Sequence, residues 1–137
     1  MPKTKELNIR MEDRAGMLGK ICQSFADRGV NILAFQANPA EGKSLVRLVV
    51  DSLPTAKTVL DGEGITYTET DVAQISLPNR TGELGRAASQ LGDANININY
   101  GYCGIDKTGK ALLFFGVKDV DRAVEILDRA AAGATGR

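Results

Sequence analysis

The sequence predicts an α+β protein built as two β-α-β-β-α-β units in tandem, each an antiparallel sheet with its helices on one face. Three observations carry this. Segments with apolar residues at every second position alternate with segments whose apolar residues fall at helical spacing. The stretch Asp13 to Ile32, D-R-A-G-M-L-G-K-I-C-Q-S-F-A-D-R-G-V-N-I, returns sixty-six residues later as N-R-T-G-E-L-G-R-A-A-S-Q-L-G-D-A-N-I-N-I, from Asn79 to Ile98. And the chain has 137 residues. A lone unit of half that length would bury only ~60% of its unfolded surface, so two units are expected to pack as a pair.

The elements follow in order. Leu7, Ile9 and Met11 alternate with Asn8 and Arg10, a strand with one buried face. Gly16 marks a turn. Leu18, Ile21, Cys22 and Phe25 then fall at i, i+3, i+4 and i+7, a helix stripe facing a core. Gly29 stops that helix, because glycine takes the left-handed conformation without steric cost. A strand is expected over 30–37, a hairpin loop over 38–43 and a third strand over 45–50, with Arg47 inside an otherwise apolar run. Pro54 opens a second helix with Ala56, Val59 and Leu60 on its face, and residues 61–64 end it. Residues 65–70 alternate as a fourth strand.

The second unit opens with a strand over 72–77, and Leu84, Ala87, Ala88 and Leu91 repeat the helix stripe. Asn95 stands where Gly29 stood, and asparagine is the next-best residue for a left-handed helix end. Strands are expected over 96–103 and 110–117, and a last helix from Asp119 with Ala123, Val124, Ile126, Leu127 and Ala130 inward. After Arg129 the chain reads A-A-A-G-A-T-G-R, with no alternation. The second unit is therefore expected to lack its last strand, leaving a sheet edge that needs cover. The order is the split βαβ, or ferredoxin-like, arrangement. The expected domains are 5–70 and 71–131, with 132–137 a disordered tail.

Between residues 7–50 and 73–116, without any gap, eight positions are identical: Ile9/Ile75, Arg14/Arg80, Gly16/Gly82, Leu18/Leu84, Gly19/Gly85, Asp27/Asp93, Asn31/Asn97 and Ile32/Ile98. They concentrate at the turn and at the two ends of the helix, as a duplication requires.

Composition narrows the function. Seventeen basic residues balance seventeen acidic ones, without the clustered cations that a nucleic acid or an anionic membrane requires. No apolar run approaches the ~18 residues of a spanning helix, and M-P-K-T-K-E lacks the apolar segment of a secretory leader. Two cysteines make no disulfide framework, so a cytoplasmic location is expected. Histidine is absent, which removes the commonest general base and zinc ligand. No enzyme activity, cofactor or metal is expected.

The candidate site is the strand-to-helix turn of each unit: Asp13, Arg14, Ala15, Gly16, Met17 and Leu18, and Asn79, Arg80, Thr81, Gly82, Glu83 and Leu84. Free N–H groups and the helix dipole there favour a carboxylate. The competing reading makes Asp13 and Asn79 helix caps and the glycines mere turn residues. Asn31 and Asn97, each followed by isoleucine (Ile32, Ile98), recur in register. An amide offers donors and an acceptor to a zwitterion; the plainer alternative is that each satisfies local loop backbone.

Asp/Asn-Arg-x-Gly-x-Leu, then a helix, then Gly/Asn-Val/Ile-Asn-Ile resembles the ACT domain, a regulatory module of amino-acid metabolism, twice over from about Leu7 to Arg129. The resemblance implies a non-catalytic protein that binds a free amino acid between ACT units. In it the turn and the asparagine hold the ligand's backbone atoms, and the protein signals to a partner enzyme or regulator. A homodimer is expected, with no nucleic acid or membrane partner. The alternative is a ligand-free ACT pair serving as an assembly subunit of a separate enzyme. Asp13, where the second copy has Asn79, repels a carboxylate, so the second copy is the better site. Other ferredoxin-like functions fit less well: there is no Cys-x-x-Cys metal loop, no P-loop spacing around Gly16–Lys20, and Phe114 and Phe115 point to opposite faces, unlike an RNA-stacking pair.

Overall fold

The computed structural model describes residues 3–12 and 14–135. It divides into two compact units, Lys5–Thr70 and a second unit from Asp71 onward that also includes Lys3 and Thr4.

The first unit contains β1 (Lys3–Glu12), α1 (Met17–Asp27), β2 (Ile32–Ala40), β3 (Lys43–Val50), α2 (Leu53–Gly62) and the first residues of β4 (Tyr67–Leu77). Its strand order is β2-β3-β1-β4. β1 runs antiparallel to β3, with Leu7 opposite Leu48 and Ile9 opposite Val46. These four point at the helices and join Ile21, Phe25, Ala56 and Leu60 in one core. Phe25 is fully buried, and a side chain of that kind contributes ~1.5–3 kcal/mol on full burial. Between β2 and β3 the turn has only two residues, Glu41 and Gly42, at φ 53° and 82°. Positive φ at both positions matches the twist of the flanking strands. The pairing therefore extends to Ala40 and Lys43, and the expected loop over 38–43 shrinks to this turn.

The other face of this sheet carries a charged pair. Glu6 is fully buried, and Arg47 Nε lies 3.8 Å from its Oε1 while Arg47 Nη1 donates to Gln36 Oε1 at 3.1 Å. Arg47 thus occupies its apolar run because a buried carboxylate on the neighbouring strand needs a cation.

The second unit contains the rest of β4, then α3 (Glu83–Asp93), β5 (Tyr100–Ile105), β6 (Ala111–Gly116) and α4 (Val120–Thr135). β4 pairs antiparallel with β6, Ile75 opposite Leu113, and β6 with β5, Cys103 opposite Leu113. Ala73, Ile75, Leu77, Ala87, Leu91, Phe115, Ala123 and Leu127 form its core. Phe114 faces away from that core, fully buried, with its ring stacked 5.6 Å from that of Tyr102. It is no open platform for a base.

Both first helices end alike. Gly29, at φ 75°, donates to Ala26 O, and Val30 to Phe25 O; Asn95, at φ 61°, donates to Gly92 O, and Ile96 to Leu91 O. This is the Schellman pair of bonds that the two residue types predict. Asp119 caps α4 through Oδ1, which accepts from Arg122 N at 3.1 Å.

Several expectations are corrected. The strands predicted over 65–70 and 72–77 are one strand, β4, so the described residues hold six strands rather than seven. No glycine or proline interrupts Y-T-E-T-D-V-A-Q-I-S-L, and nothing there forces a turn. No strand follows α4 among the described residues, as expected. The place beside β4 that a last strand would fill is instead taken by β1, whose first residues Lys3 and Thr4 belong to this unit. Lys3 Nζ meets Asp121 Oδ1 at 3.1 Å. The expected tail from 132 is helical as far as Thr135, since alanine is the best helix former; residues 136–137 lie outside the described residues. β5 starts at Tyr100, four residues later than expected, and 96–99 are irregular.

The repeat also needs one gap. Leu48 and Phe115 are the partners of the equivalent residues Leu7 and Ala73, which sets β3 against β6 at sixty-seven residues. At that offset Gly42/Gly109, Lys43/Lys110, Leu45/Leu112 and Val50/Val117 become identical. The second hairpin carries the extra residue, where Asp106 Oδ1 accepts from Thr108 N, Thr108 Oγ1 and Lys110 N at 2.7 to 2.9 Å.

Candidate functional site

Gly16 and Gly82 occupy the N-cap positions of α1 and α3, both at φ 90°, and among the described residues no side chain caps either helix. A Cβ at either position would meet nothing within 4 Å, so the backbone conformation, not crowding, selects glycine. The competing reading of Asn79 as a cap is thereby corrected: Gly82 holds that position and Asn79 lies exposed before it. Asp13 lies outside the described residues. The first four N–H groups of a helix have no partner within it. Met17 N and Glu83 N donate to the carbonyls of Arg14 and Arg80 at 3.4 and 3.3 Å, and among the described residues no side chain accepts from the N–H groups that follow.

In the second unit the turn is held by charge. Glu83, the first residue of α3, accepts from Arg80 Nη2 at 3.1 Å and from Arg86 Nη2 at 3.0 Å and Nε at 3.3 Å. The Arg86 guanidinium, helped by that of Arg80, holds the Glu83 carboxyl below the usual glutamate range. Asn79, Arg80, Glu83 and Leu84 line a pocket of about 180 Å³ whose remaining wall is Leu77, Pro78 and, from β6, Ala111 and Leu113. Thr81 and Gly82 are exposed beside it. Leu84 was expected in the core stripe but is 55% exposed, because it sits on the first turn of α3, beyond the end of the sheet core.

Asn97 is elsewhere. Its Nδ2 donates to Asn99 Oδ1 at 3.0 Å, and both line a polar cleft of about 890 Å³ with Lys3, Lys118, Asp119 and Arg122. The eleven residues of α3 separate Asn97 from Gly82, about 16 Å at 1.5 Å per residue. Ile98 packs against the core.

In the first unit Arg14, Ala15 and Gly16 are exposed, with Arg14 Nε 2.9 Å from Glu12 Oε2. Met17 and Leu18 rest against the core. Met17 also lines a cleft of about 680 Å³ with Arg10, Glu12, Lys43 and Tyr67. Asn31 is tied by its backbone: its N–H donates to Asp51 Oδ1 at 2.9 Å and its carbonyl accepts from Asp51 N at 3.0 Å. Ile32 packs against the core.

The structure thus brings Asn79, Arg80, Glu83 and Leu84 to one pocket, leaves Thr81 and Gly82 outside its lining, and sets the asparagine at the far end of the same helix. Sequence reasoning missed Ala111 and Leu113. The signal that finds them is strand register, since Ala111 is the direct partner of Leu77 and Leu113 of Ile75. Among the described residues no group of three or more acidic, cysteine or histidine side chains is placed to hold a metal ion, and no helix is long and apolar enough to cross a membrane.

Comparison with known proteins follows the same lines. Residues 5–60 match the family model of the ACT domain. No curated protein matches the sequence. Among solved structures, the chain is similar to protein BT0572 from Bacteroides thetaiotaomicron, with 24% identity and a TM-score of 0.81 over 93% of this chain and 88% of that one. It is also similar to the regulatory subunit of aspartate kinase from Thermus thermophilus in its ligand-free form, at 16% identity and a TM-score of 0.65 over 97% and 92% of the two chains. The regulatory subunit from Thermus flavus gives 14% and 0.59 over 95% and 93%. At these identities the likeness concerns the fold. Residues 5–60 match the ACT domain directly, and the same helix-start glycine and Schellman stop are built again in the second unit.

Proposed function

We propose that this chain is a non-catalytic regulatory protein that binds a free amino acid between one ACT unit and another and signals its occupancy to a partner enzyme or regulator. The observation that carries the proposal is the helix start at a left-handed glycine N-cap, made twice in one chain. Such a start accepts the ligand carboxylate on backbone N–H groups. An asparagine amide, Asn31 or Asn97, takes the ammonium through its oxygen. Because Gly82 and Asn97 lie at opposite ends of α3, a single amino acid cannot touch both in one unit; the turn of one unit serves with the asparagine of another. A homodimer supplies the required partners. The Thermus neighbours named as regulatory subunits support a regulatory role. Free thiols at Cys22 and Cys103 suit a reducing cytoplasm.

A thermal-shift screen of the full chain against the free amino acids tests this reading. At ~100 times its dissociation constant a ligand stabilises by about 2.7 kcal/mol, and Asn97→Ala removes that shift while the unliganded protein still melts cooperatively. Unfolding of the unliganded variant would return Asn97 to a structural role. The second reading, an assembly subunit without ligand, is favoured by apolar side chains open on the outer strands, Phe35 at 54% and Ile105 at 70% exposure. It prevails if no amino acid moves the melting temperature.

A further inference from the structure

We infer that β5 is the strand that joins two copies of this chain, pairing antiparallel with β5 of the second copy about a twofold axis at Cys103. The inference deepens the reading above, on which it rests for the homodimer itself, by naming the surface that forms it.

β5 ends the strand order and is paired on one side only, with β6. At its end Asp106 N donates to Lys110 O at 3.0 Å. Bonded and non-bonded pairs alternate along an antiparallel ladder. Gly104, Tyr102 and Tyr100 therefore turn their backbone groups toward β6, and Cys103 and Ile105 turn theirs outward. Such an edge is ordinarily guarded by lysine, proline or a bulge. Tyr100–Ile105 contains no charged residue and no proline, and its register against β6 is unbroken. The edge strand of the first unit, β2, is guarded twice: it contains Pro39, and its register shifts between Ile32 and Ala34. A single open edge closes an assembly at two copies.

The side chains fit a second copy. Gly101, Cys103 and Ile105 lie on one face of β5. A twofold axis at Cys103 sets Gly101 opposite Ile105 of the other chain. Ile105 is 70% exposed. Gly101 leaves a notch beside the Phe115 ring, whose Cδ1 would lie 3.2 Å from a Cβ at that position. The isoleucine of each copy covers the notch of the other. Cys103 then faces itself in a bonded pair, with Cα atoms about 5.5 Å apart, inside the roughly 4.4–6.8 Å that a disulfide spans. The chain's own strand supplies both the large residue for Gly101 and the small one for Cys103, which selects a second copy over an unrelated strand.

Sedimentation of the full chain and oxidation of a Cys22→Ser variant, in which Cys103 is the only thiol, test the inference. The oxidant is diamide. It takes the hydrogens of two thiols with their electrons, passing from diazene to hydrazine as the S–S bond forms. The expected results are a dimer in solution and a covalent dimer on non-reducing electrophoresis, at a chain concentration where the urea-unfolded protein stays uncrosslinked. Cys103→Lys sets two ammonium groups opposite each other and weakens the dimer at least about tenfold. Cys103→Ser and Phe35→Lys leave it unchanged. Because position 103 is exposed, the lysine variant is expected to keep the parent's circular dichroism melt. A dimer that survives Cys103→Lys and yields no disulfide overturns the assignment to β5 and leaves the homodimer in place. So does a dimer that Phe35→Lys dissociates instead. A monomeric parent overturns the assignment and the homodimer together, while amino-acid binding is still decided by the thermal-shift screen.

Discussion

Glu83 is the residue on which the second turn depends. It accepts three guanidinium hydrogen bonds, and its folded carboxyl is held below the ordinary value of 4.5, by Arg86 first and then by Arg80. An acid whose folded pKa is depressed contributes stability that is complete above its unfolded value. That contribution is lost as pH falls through the folded one. Glu83→Gln abolishes the titration, so the variant loses stability less steeply than the parent between about pH 5 and pH 3, read by urea unfolding at each pH. Asp106, held low chiefly by its bond from Thr108 in the hairpin loop, has the same sign and remains in both proteins. The slope is therefore reduced, not removed. An unchanged acid slope would show that the arginine contacts do not persist in solution. Cys22 has the opposite perturbation, its thiol pushed up by burial, in keeping with its place on the inward side of α1.

Among the elements, those closed by a left-handed residue were the most legible. Gly29 and Asn95 announce the ends of α1 and α3 because few residues other than glycine and asparagine tolerate that backbone, and the structure forms the same two bonds at each. The β2–β3 hairpin was harder to read, because Glu41 sits at φ 53°, a conformation its side chain does not advertise. Glu41→Asn is expected to stabilise the protein by ~0.5 kcal/mol, since Asn-Gly is the preferred pair for such a turn. A rise in the urea midpoint at constant slope is the result to look for. A fall would mean that Glu41 makes a compensating contact. The same physics explains what the sequence concealed. An unbroken alternating run cannot show where one unit ends, so β4 read as two strands. An alanine run has no stripe, so the last turns of α4 read as tail. Of the candidate site, the turn residues were legible from their repetition. Ala111 and Leu113 were not, because they reach the pocket through strand register, which a linear pattern does not reveal.

At the scale of the whole chain, the two units are not joined by a linker. β4 passes from Tyr67 in the first unit to Leu77 in the second without a break, and β1 contributes Lys3 and Thr4 to the second and the rest to the first. Both strands run on from one unit into the other, which predicts a single cooperative transition. The chain supplies its own reporters, having no tryptophan and three tyrosines, Tyr67 in the first unit and Tyr100 and Tyr102 in the second. Tyr67→Phe leaves emission from the second unit alone. Replacing Tyr100 and Tyr102 by phenylalanine leaves emission from the first, and keeps the ring that covers Gly116 and the ring that stacks on Phe114. In each variant the fluorescence midpoint in urea should coincide with the far-ultraviolet circular dichroism midpoint of the same protein, as two-state unfolding requires. If the first-unit reporter melts at a lower urea concentration than the second, the shared strands do not couple the units. A ligand bound at the second turn would then stabilise only residues from Asp71 onward. If the midpoints coincide, an amino acid bound at that turn raises the stability of the whole chain, which is what transmission to a partner through either unit requires.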